Sequence, residues 1–198
     1  MPKIVDREQY RKQLLTQSFE LFAEIGYGKI TMRQLAQKLG ISTGTLYHYF
    51  PSKEAIFLQL VEELAQRDIS NFMIQAESVP PDIRSRVGAI LDFTKENLDY
   101  FAKQLMIFLD YYQQQSVCLD SHQDPLQQEC VDVFERLDRE TIVAINNFLQ
   151  VDNLAIGTFI LTFVNGLLLN QLYTPNLNSW DAQTEILIEA IVMMSHKQ

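Results

Sequence analysis

The sequence predicts an all-α protein with an N-terminal three-helix head that contains a helix-turn-helix, followed by a larger helical body. Apolar residues recur at helical spacing along most of the chain, and no alternating pattern of strand type interrupts them. The six prolines lie where helices can begin or end. Four of the seven glycines fall within the first 44 residues, which concentrates tight turns in the head.

Capping residues predict the three helices of the head. The first helix begins near Arg7 and ends at Gly26. Thr31 and Gln34 form a capping box that opens a short second helix, which Gly40 ends. Ser42 then caps a third helix, whose Leu46, Tyr49 and Phe50 are expected to face inward. Two short helices joined by so tight a turn cross steeply, as in a helix-turn-helix.

A fourth helix follows Pro51 with Ser52 as its N-cap and links the head to the body. We place the domain boundary after residue 67, with a head of residues 1–67 and a body of residues 68–198. The body is expected to hold long helices over about 82–115, with a break near 98–101, and over 125–149, 153–172 and 180–195.

Charge is divided unevenly along the chain, whose formal net charge is −9. Residues 1–55 hold eight basic and five acidic residues, a net +3, whereas the remainder holds eight basic and 20 acidic residues, a net −12. A basic head on an acidic body turns the head toward phosphates, although ordinary surface charge also explains the pattern. The N-terminus does not resemble a signal peptide, so we expect a cytoplasmic protein.

The third helix has the composition of a recognition helix. Its outward positions are Thr43, Gly44, Tyr47 and His48, close to an N-terminus whose exposed N–H groups favour phosphate. Lys53, at the start of the fourth helix, and the Tyr47 hydroxyl are expected to contact the DNA backbone. A capped helix pair with a glycine turn also occurs in proteins that never bind DNA.

The residue pattern of the head resembles the signature of the TetR family of regulators over about residues 7–67. The matching residues are Thr31, Leu35, Ala36, Gly40, Ile41, Ser42, Gly44, Leu46, Tyr47, His48, Tyr49, Phe50, Lys53 and Glu54. This resemblance implies a homodimer of all-helical subunits, whose body binds a small molecule and forms the dimer interface. It further implies that one group of residues approaches base edges while a second contacts mainly the backbone. The base-edge group is Arg33, Thr43, Gly44 and Thr45; the backbone group is Tyr47, His48 and Lys53, and the capping Ser42 completes the predicted DNA-binding set.

Aromatic residues in the body are candidates for an effector pocket, although at helical spacing they are equally consistent with plain core. These are Phe93, Tyr100, Phe101, Phe108, Tyr111 and Tyr112. The two C-terminal helices are apolar around more of their circumference than a surface helix needs, which favours burial against a second copy. The apolar run 154–172 is interrupted by polar residues, so we interpret it as a buried helix and expect no membrane association.

No catalytic motif occurs in the sequence, so we expect neither an enzyme nor a cofactor. His122 lies near Cys118, Asp120 and Asp124, but the spacing matches no metal motif, and we predict no metal site. The leading hypothesis is a dimeric, sequence-specific repressor that a small apolar ligand releases from a palindromic operator. The alternatives are an architectural protein with little sequence preference and a helical body that has kept its DNA head as a relic. A net charge of only +3 argues against DNA coating.

Overall fold

The structure is a computed structural model that describes residues 6–116, 125–174 and 179–195. Within these ranges the secondary structure is helical, as the sequence predicts. The α-helices are α1 (Arg7–Ile25), α2 (Met32–Lys38), α3 (Thr43–Tyr49), α4 (Lys53–Gln75), α5 (Ile83–Glu96), α6 (Leu98–Ser116), α7 (Pro125–Leu149), α8 (Leu154–Tyr173) and α9 (Trp180–Ser195). A single 3₁₀ turn over Ala76–Ser78 follows α4.

The predicted break in the long segment after residue 82 falls at Asn97, one residue before the expected range. Asp82 caps α5 by accepting a hydrogen bond from the Ser85 amide at 2.9 Å. At the other end, the Asn97 side chain donates to the Phe93 carbonyl at 2.8 Å. An asparagine side chain that bonds to the backbone competes with the helical pattern, which explains why the helix stops there.

The chain forms two compact units, and α4, α6 and α7 each contribute residues to both. The first unit comprises residues up to Gln66 together with Met106–Phe134. Its core contains side chains from every helix of the head: Leu14, Leu15, Phe19, Phe22, Ile30, Leu35, Leu46, Phe50, Ile56, Phe57 and Leu60 are all buried. The predicted boundary between a DNA-binding and a ligand-binding domain at residue 67 stays a prediction.

The second unit comprises Arg67–Leu105 and Glu135–Gln198. Its core is built from aliphatic residues of α5, α7, α8 and α9: Val87, Ile90, Leu91, Leu149, Ile156, Ile160, Val164, Leu168, Leu187 and Ile191. Ion pairs at the surface join α5 to α9, with Arg84 contacting Glu185 and Glu189, and Lys95 contacting Asp181 at 2.6 Å. Exposed pairs of this kind contribute little stability, so the apolar core holds this unit together.

Helix α8 is long and apolar enough to cross a membrane by length and composition alone, a test that core helices also meet. One of its faces is buried in the second unit, where Ile160 and Val164 join the aliphatic core. Another face carries exposed apolar side chains, including Leu154, Phe159 and Tyr173. The helix therefore has a covered side within this unit and, among the described residues, a second apolar side that is exposed.

Candidate nucleic-acid interface

Local hydrogen bonds fix the ends of α2. The Thr31 hydroxyl accepts from the Gln34 amide at 3.3 Å, and the Gln34 side chain accepts from the Thr31 amide at 2.9 Å. At the other end, Gly40 has a φ of +70°, which glycine adopts without strain. The next amide, of Ile41, donates back to the Ala36 carbonyl at 3.0 Å, a bond typical of a Schellman motif. The capping box and the glycine stop predicted from the sequence are both present.

Helix α3 begins directly after this turn. The Ser42 hydroxyl accepts from the Thr45 amide at 2.9 Å and also shares a hydrogen bond of 2.8 Å with the Thr45 hydroxyl. Leu46 and Phe50 are completely buried, which anchors the helix to the core of the first unit. Ser42 is thus occupied in capping, and the fold of α3 depends on residues different from those that face outward.

The outward side of α3 carries half of the residues predicted to contact DNA. Tyr47 is 50% exposed. Gly44 and His48 are also exposed, and Thr43 is half-buried. A methyl group added at Gly44 would meet only the Ser42 hydroxyl, at 3.8 Å. The chain therefore leaves open space at the middle of this surface.

A surface hollow of about 500 Å³ lies beside α3 and brings three predicted contact residues together. Arg33 comes from the first turn of α2, Tyr47 from α3 and Lys53 from the start of α4. Its other lining residues are Gly28, Ile30, Thr31, Met32, Pro51, Ser52 and Glu54. Two hydrogen-bonding cations and a phenol around one open hollow are groups that bind phosphate oxygens.

Lys53 has a structural role that the sequence did not reveal. Its ammonium donates to the carbonyls of Tyr27 at 2.8 Å and Ile30 at 3.1 Å, and lies 4.3 Å from the centre of the Tyr27 ring. Burial lowers the pKa of Lys53, and the negative charges of Glu54 and Asp110 oppose that shift. The lysine therefore holds the turn between α1 and α2 while its side chain lines the hollow.

Arg7, at the start of α1, is a further cation at this surface. Its guanidinium lies 3.3 Å from the His48 ring nitrogen Nε2 and 5.9 Å from the centre of the Tyr49 ring. Because 41 residues separate Arg7 from His48, no local pattern indicates this contact. Arg11 and Lys12, in contrast, are engaged with Gln59 and Glu63 of α4.

The six aromatic residues predicted to line a pocket do not belong to one unit. Phe93, Tyr100 and Phe101 lie in the second unit, whereas Phe108, Tyr111 and Tyr112 lie in the first. Tyr111 is 1% exposed and stacks on Phe57, with ring centres 4.0 Å apart, so it belongs to the core of the first unit. Tyr112 is 48% exposed. Their role in ligand binding stays a prediction.

Cys118, Asp120, His122 and Asp124, for which the sequence predicts no metal site, lie outside the described residues. Among the residues that the structure does describe, no group of three or more histidine, cysteine, aspartate or glutamate side chains is placed to hold a metal ion.

Comparison with known proteins agrees with this geometry. Residues 14–60 match the family model described as bacterial regulatory proteins, tetR family. The HTH-type transcriptional repressor Rv1474c of Mycobacterium tuberculosis is 39% identical over 69 residues, which are 34% of this chain and 37% of that protein. The HTH-type transcriptional regulator EthR of Mycolicibacterium smegmatis is 45% identical over 56 residues, 28% of this chain and 26% of that protein. The chain thus spans about a third of the length of these relatives.

Similarity of fold extends over nearly the whole chain. A TetR transcription regulator from Haloarcula marismortui superposes with a TM-score of 0.70 at 15% identity, covering 92% of this chain and 96% of that one. A putative transcriptional regulator from Saccharomonospora viridis, solved in complex with choline, gives a TM-score of 0.67 at 18% identity, covering 93% and 96%. The helix-turn-helix lies within the segment that matches the family model, so the N-terminal domain of this chain is a TetR-type domain of bacterial regulatory proteins.

Proposed function

We propose that this protein is a dimeric, sequence-specific DNA-binding regulator of transcription that acts in the cytoplasm. The observation that carries the proposal is the outward surface of α3, where exposed Gly44, Tyr47 and His48 adjoin the hollow that contains Arg33 and Lys53. In this arrangement α3 enters the major groove and the cations flank it on the phosphate backbone.

Gly44 supports a close approach to DNA. A glycine within a helix costs about 0.5–1 kcal/mol relative to alanine, because its backbone loses more conformational freedom on folding. Neither a positive φ nor a crowded neighbour in the first unit requires glycine here. The absence of a side chain instead leaves room for a second molecule to approach the helix backbone.

The dimer is proposed on the uncovered apolar faces of α8 and α9. Exposed side chains there are Leu154, Phe159, Leu172, Tyr173, Ile186, Met193 and Met194. An exposed apolar surface of this kind is typical of an interaction site, and a two-fold interface would use the same residues from both copies. A dimer presents two α3 helices, so we expect a palindromic operator with half-sites about 34–36 Å apart or somewhat more.

We further propose that a small molecule bound in the body releases the repressor from its operator. Coupling of this kind between two sites amounts to about 1–3 kcal/mol and is reciprocal, so operator DNA must weaken effector binding by the same factor. The predicted pocket residues Phe93, Tyr100 and Phe101, which lie together in the second unit, are the described candidates for this site.

Replacing Gly44 by leucine tests the docking surface without disturbing the fold. Because a side chain at this position meets open space, Gly44→Leu should retain or slightly raise thermal stability and should abolish binding to operator fragments selected from genomic DNA. Gly88→Leu is the matched control, since α5 also leaves open space at Gly88. If Gly44→Leu binds the operator as tightly as the control does, α3 does not dock as proposed.

Substitutions at Arg33 and Tyr47 distinguish a residue that recognises a base from a residue that contacts the DNA backbone. Arg33→Ala should relax specificity at one base pair per half-site by about 1–3 kcal/mol, if the guanidinium contacts a guanine edge. Tyr47→Phe should weaken binding to operator and unrelated DNA alike, because phosphate contacts carry no sequence information. Binding across a library of single-base operator changes, at two salt concentrations, distinguishes these outcomes. A uniform loss for Arg33→Ala would assign it to the backbone instead.

A further inference from the structure

Four phenylalanines in the second unit form a continuous row of rings. Phe72 of α4 lies 4.8 Å from Phe148 of α7 and 5.4 Å from Phe93 of α5, and Phe93 lies 5.8 Å from Phe101 of α6, measured between ring centres. All four side chains are partly buried, and Phe72, Phe101 and Phe148 pack against the aliphatic core, in which Val87 is completely buried. Four different helices thus bring partly accessible aromatic surface to one place.

An unpaired guanidinium lies at one end of this row. The guanidinium carbon of Arg86, on α5, lies 5.6 Å from the centre of the Phe148 ring. Its Nε and Nη1 atoms are buried, and neither has a hydrogen-bond partner among the residues that the structure describes. A buried donor without an acceptor carries a desolvation penalty, and a carboxylate oxygen is an acceptor whose charge complements that of arginine.

Arg84, two residues away on the same helix, differs from Arg86 because its guanidinium has carboxylate partners. Its guanidinium is paired with Glu185 at 2.9 Å and with Glu189, both on α9. The chain therefore supplies carboxylates to the exposed arginine of α5 and none, within its described part, to Arg86. A carboxylate from another molecule would supply a charged acceptor to Arg86.

We propose that the effector of this protein is a small amphipathic carboxylic acid, whose carboxylate binds Arg86 and whose apolar part packs against Phe72, Phe93, Phe101 and Phe148. This inference rests on the proposed ligand-responsive function and names the chemical class of its ligand. A neutral apolar molecule would leave the two buried donors unpaired, and a cation would be repelled. Because both nitrogens are covered, a side chain must move for the carboxylate to reach them, and Phe148 lies against the guanidinium.

Isothermal titration calorimetry with the full-length protein tests this inference. The probes are decanoate and 4-phenylbutyrate, which distinguish a chain-like from a ring-bearing acid. Their neutral counterparts are decan-1-ol and 4-phenylbutan-1-ol, and decyltrimethylammonium is the cationic counterpart of decanoate. At least one carboxylate should bind at least about tenfold more tightly than its neutral or cationic counterpart, the factor expected of a charged hydrogen-bonded pair. Arg86→Gln should lose that preference, whereas Arg84→Gln should retain it.

Three results would overturn the proposal: neither carboxylate binds the unsubstituted protein, each carboxylate that binds is matched in affinity by its neutral counterpart, or Arg84→Gln weakens binding as much as Arg86→Gln. The first two comparisons need no variant, so they decide even if Arg86→Gln does not fold. Operator binding is measured separately, without carboxylate, and Arg86→Gln should match the unsubstituted protein. A carboxylate that binds through Arg86 without releasing DNA supports this site and contradicts the proposed regulation. Failure of the carboxylate site and failure of the proposed regulation are therefore distinguishable.

Discussion

The structure assigns Lys53 a stabilising role, and Lys53→Met measures it. This substitution retains the aliphatic stem and removes the ammonium, so the carbonyls of Tyr27 and Ile30 lose donors at 2.8 and 3.1 Å. Each hydrogen bond contributes about 1 kcal/mol net. The contact with the Tyr27 ring adds about 0.5–1 kcal/mol. Because Lys53 is only partly buried, water replaces part of this loss, and we expect a destabilisation of about 1–2 kcal/mol.

Thermal unfolding followed by far-ultraviolet circular dichroism provides the assay. For a chain of this size, each 1 kcal/mol lowers Tm by about 2–4 °C, so Lys53→Met should melt about 2–8 °C below the unsubstituted protein. The control is Lys38→Met, at an exposed lysine in the last turn of α2, which should change stability by less than about 0.5 kcal/mol. If Lys53 also contacts a phosphate, its loss reduces the slope of log K for DNA binding against log salt concentration by about 0.9 per head. Equal melting temperatures for the two variants would refute the structural role.

Three further predictions concern the second unit. Gly157→Ala should destabilise the fold by about 1–3 kcal/mol, because the added methyl group would lie 2.2 Å from Asn146 Oδ1. Gly88→Ala places its methyl group in open space and should stabilise the fold by up to about 1 kcal/mol. Equal urea midpoints for the two variants would contradict this difference. Burial raises the pKa of Asp68, so its carboxyl contributes stability at low pH that is lost as pH rises through the folded-state value. Asp68→Asn should therefore be more stable than the unsubstituted protein at neutral pH, by a margin that shrinks on acidification, and a margin that grows instead would be inconsistent with this cause. Ile186→Glu, at a residue 70% exposed, should yield a folded monomer of about 23 kDa by light scattering if α9 forms the dimer interface, and an unchanged dimer would exclude it.

Phe163, in the apolar run of α8, is less suitable for such a test than Ile186 of α9. Its side chain packs against the aliphatic core of its own subunit, so a charge there would damage the fold as well as the interface. Ile186 avoids this ambiguity because most of its side chain lies outside the subunit core. The sequence indicates which helices are apolar, but only the packed structure distinguishes the residues that face inward from those left exposed.

The sequence predicted features that depend on neighbouring residues. The caps of α2 and α3 involve residues three positions apart, such as Thr31 with Gln34, and such local chemistry is visible in the sequence. The contacts that were missed join distant residues: 26 positions separate Lys53 from Tyr27, and 41 separate Arg7 from His48. The spacing of residues along the sequence does not indicate such pairs, because the packing of whole helices brings them together.

The aromatic residues of the body show a similar limit. Helical spacing grouped Phe93 with Tyr111 as candidates for one pocket, whereas the structure assigns them to different units. Phe72 and Phe148, which lie in the row with Phe93, were not among those candidates, because they belong to α4 and α7 rather than to the aromatic-rich stretch around α6. The unpaired donors of Arg86 depend on which acceptors surround it, and a sequence does not reveal that.

The central claim is that α3 recognises a specific DNA sequence as part of a dimer. The most direct measurement selects fragments bound by the full-length protein from genomic DNA, and then compares the affinity of the best fragment with that of a scrambled copy at one salt concentration. We predict that the selected fragment contains a palindrome and binds at least about 10³-fold more tightly than the scrambled copy, with both half-sites protected in a footprint. Equal affinity for the two fragments would contradict sequence-specific recognition by α3.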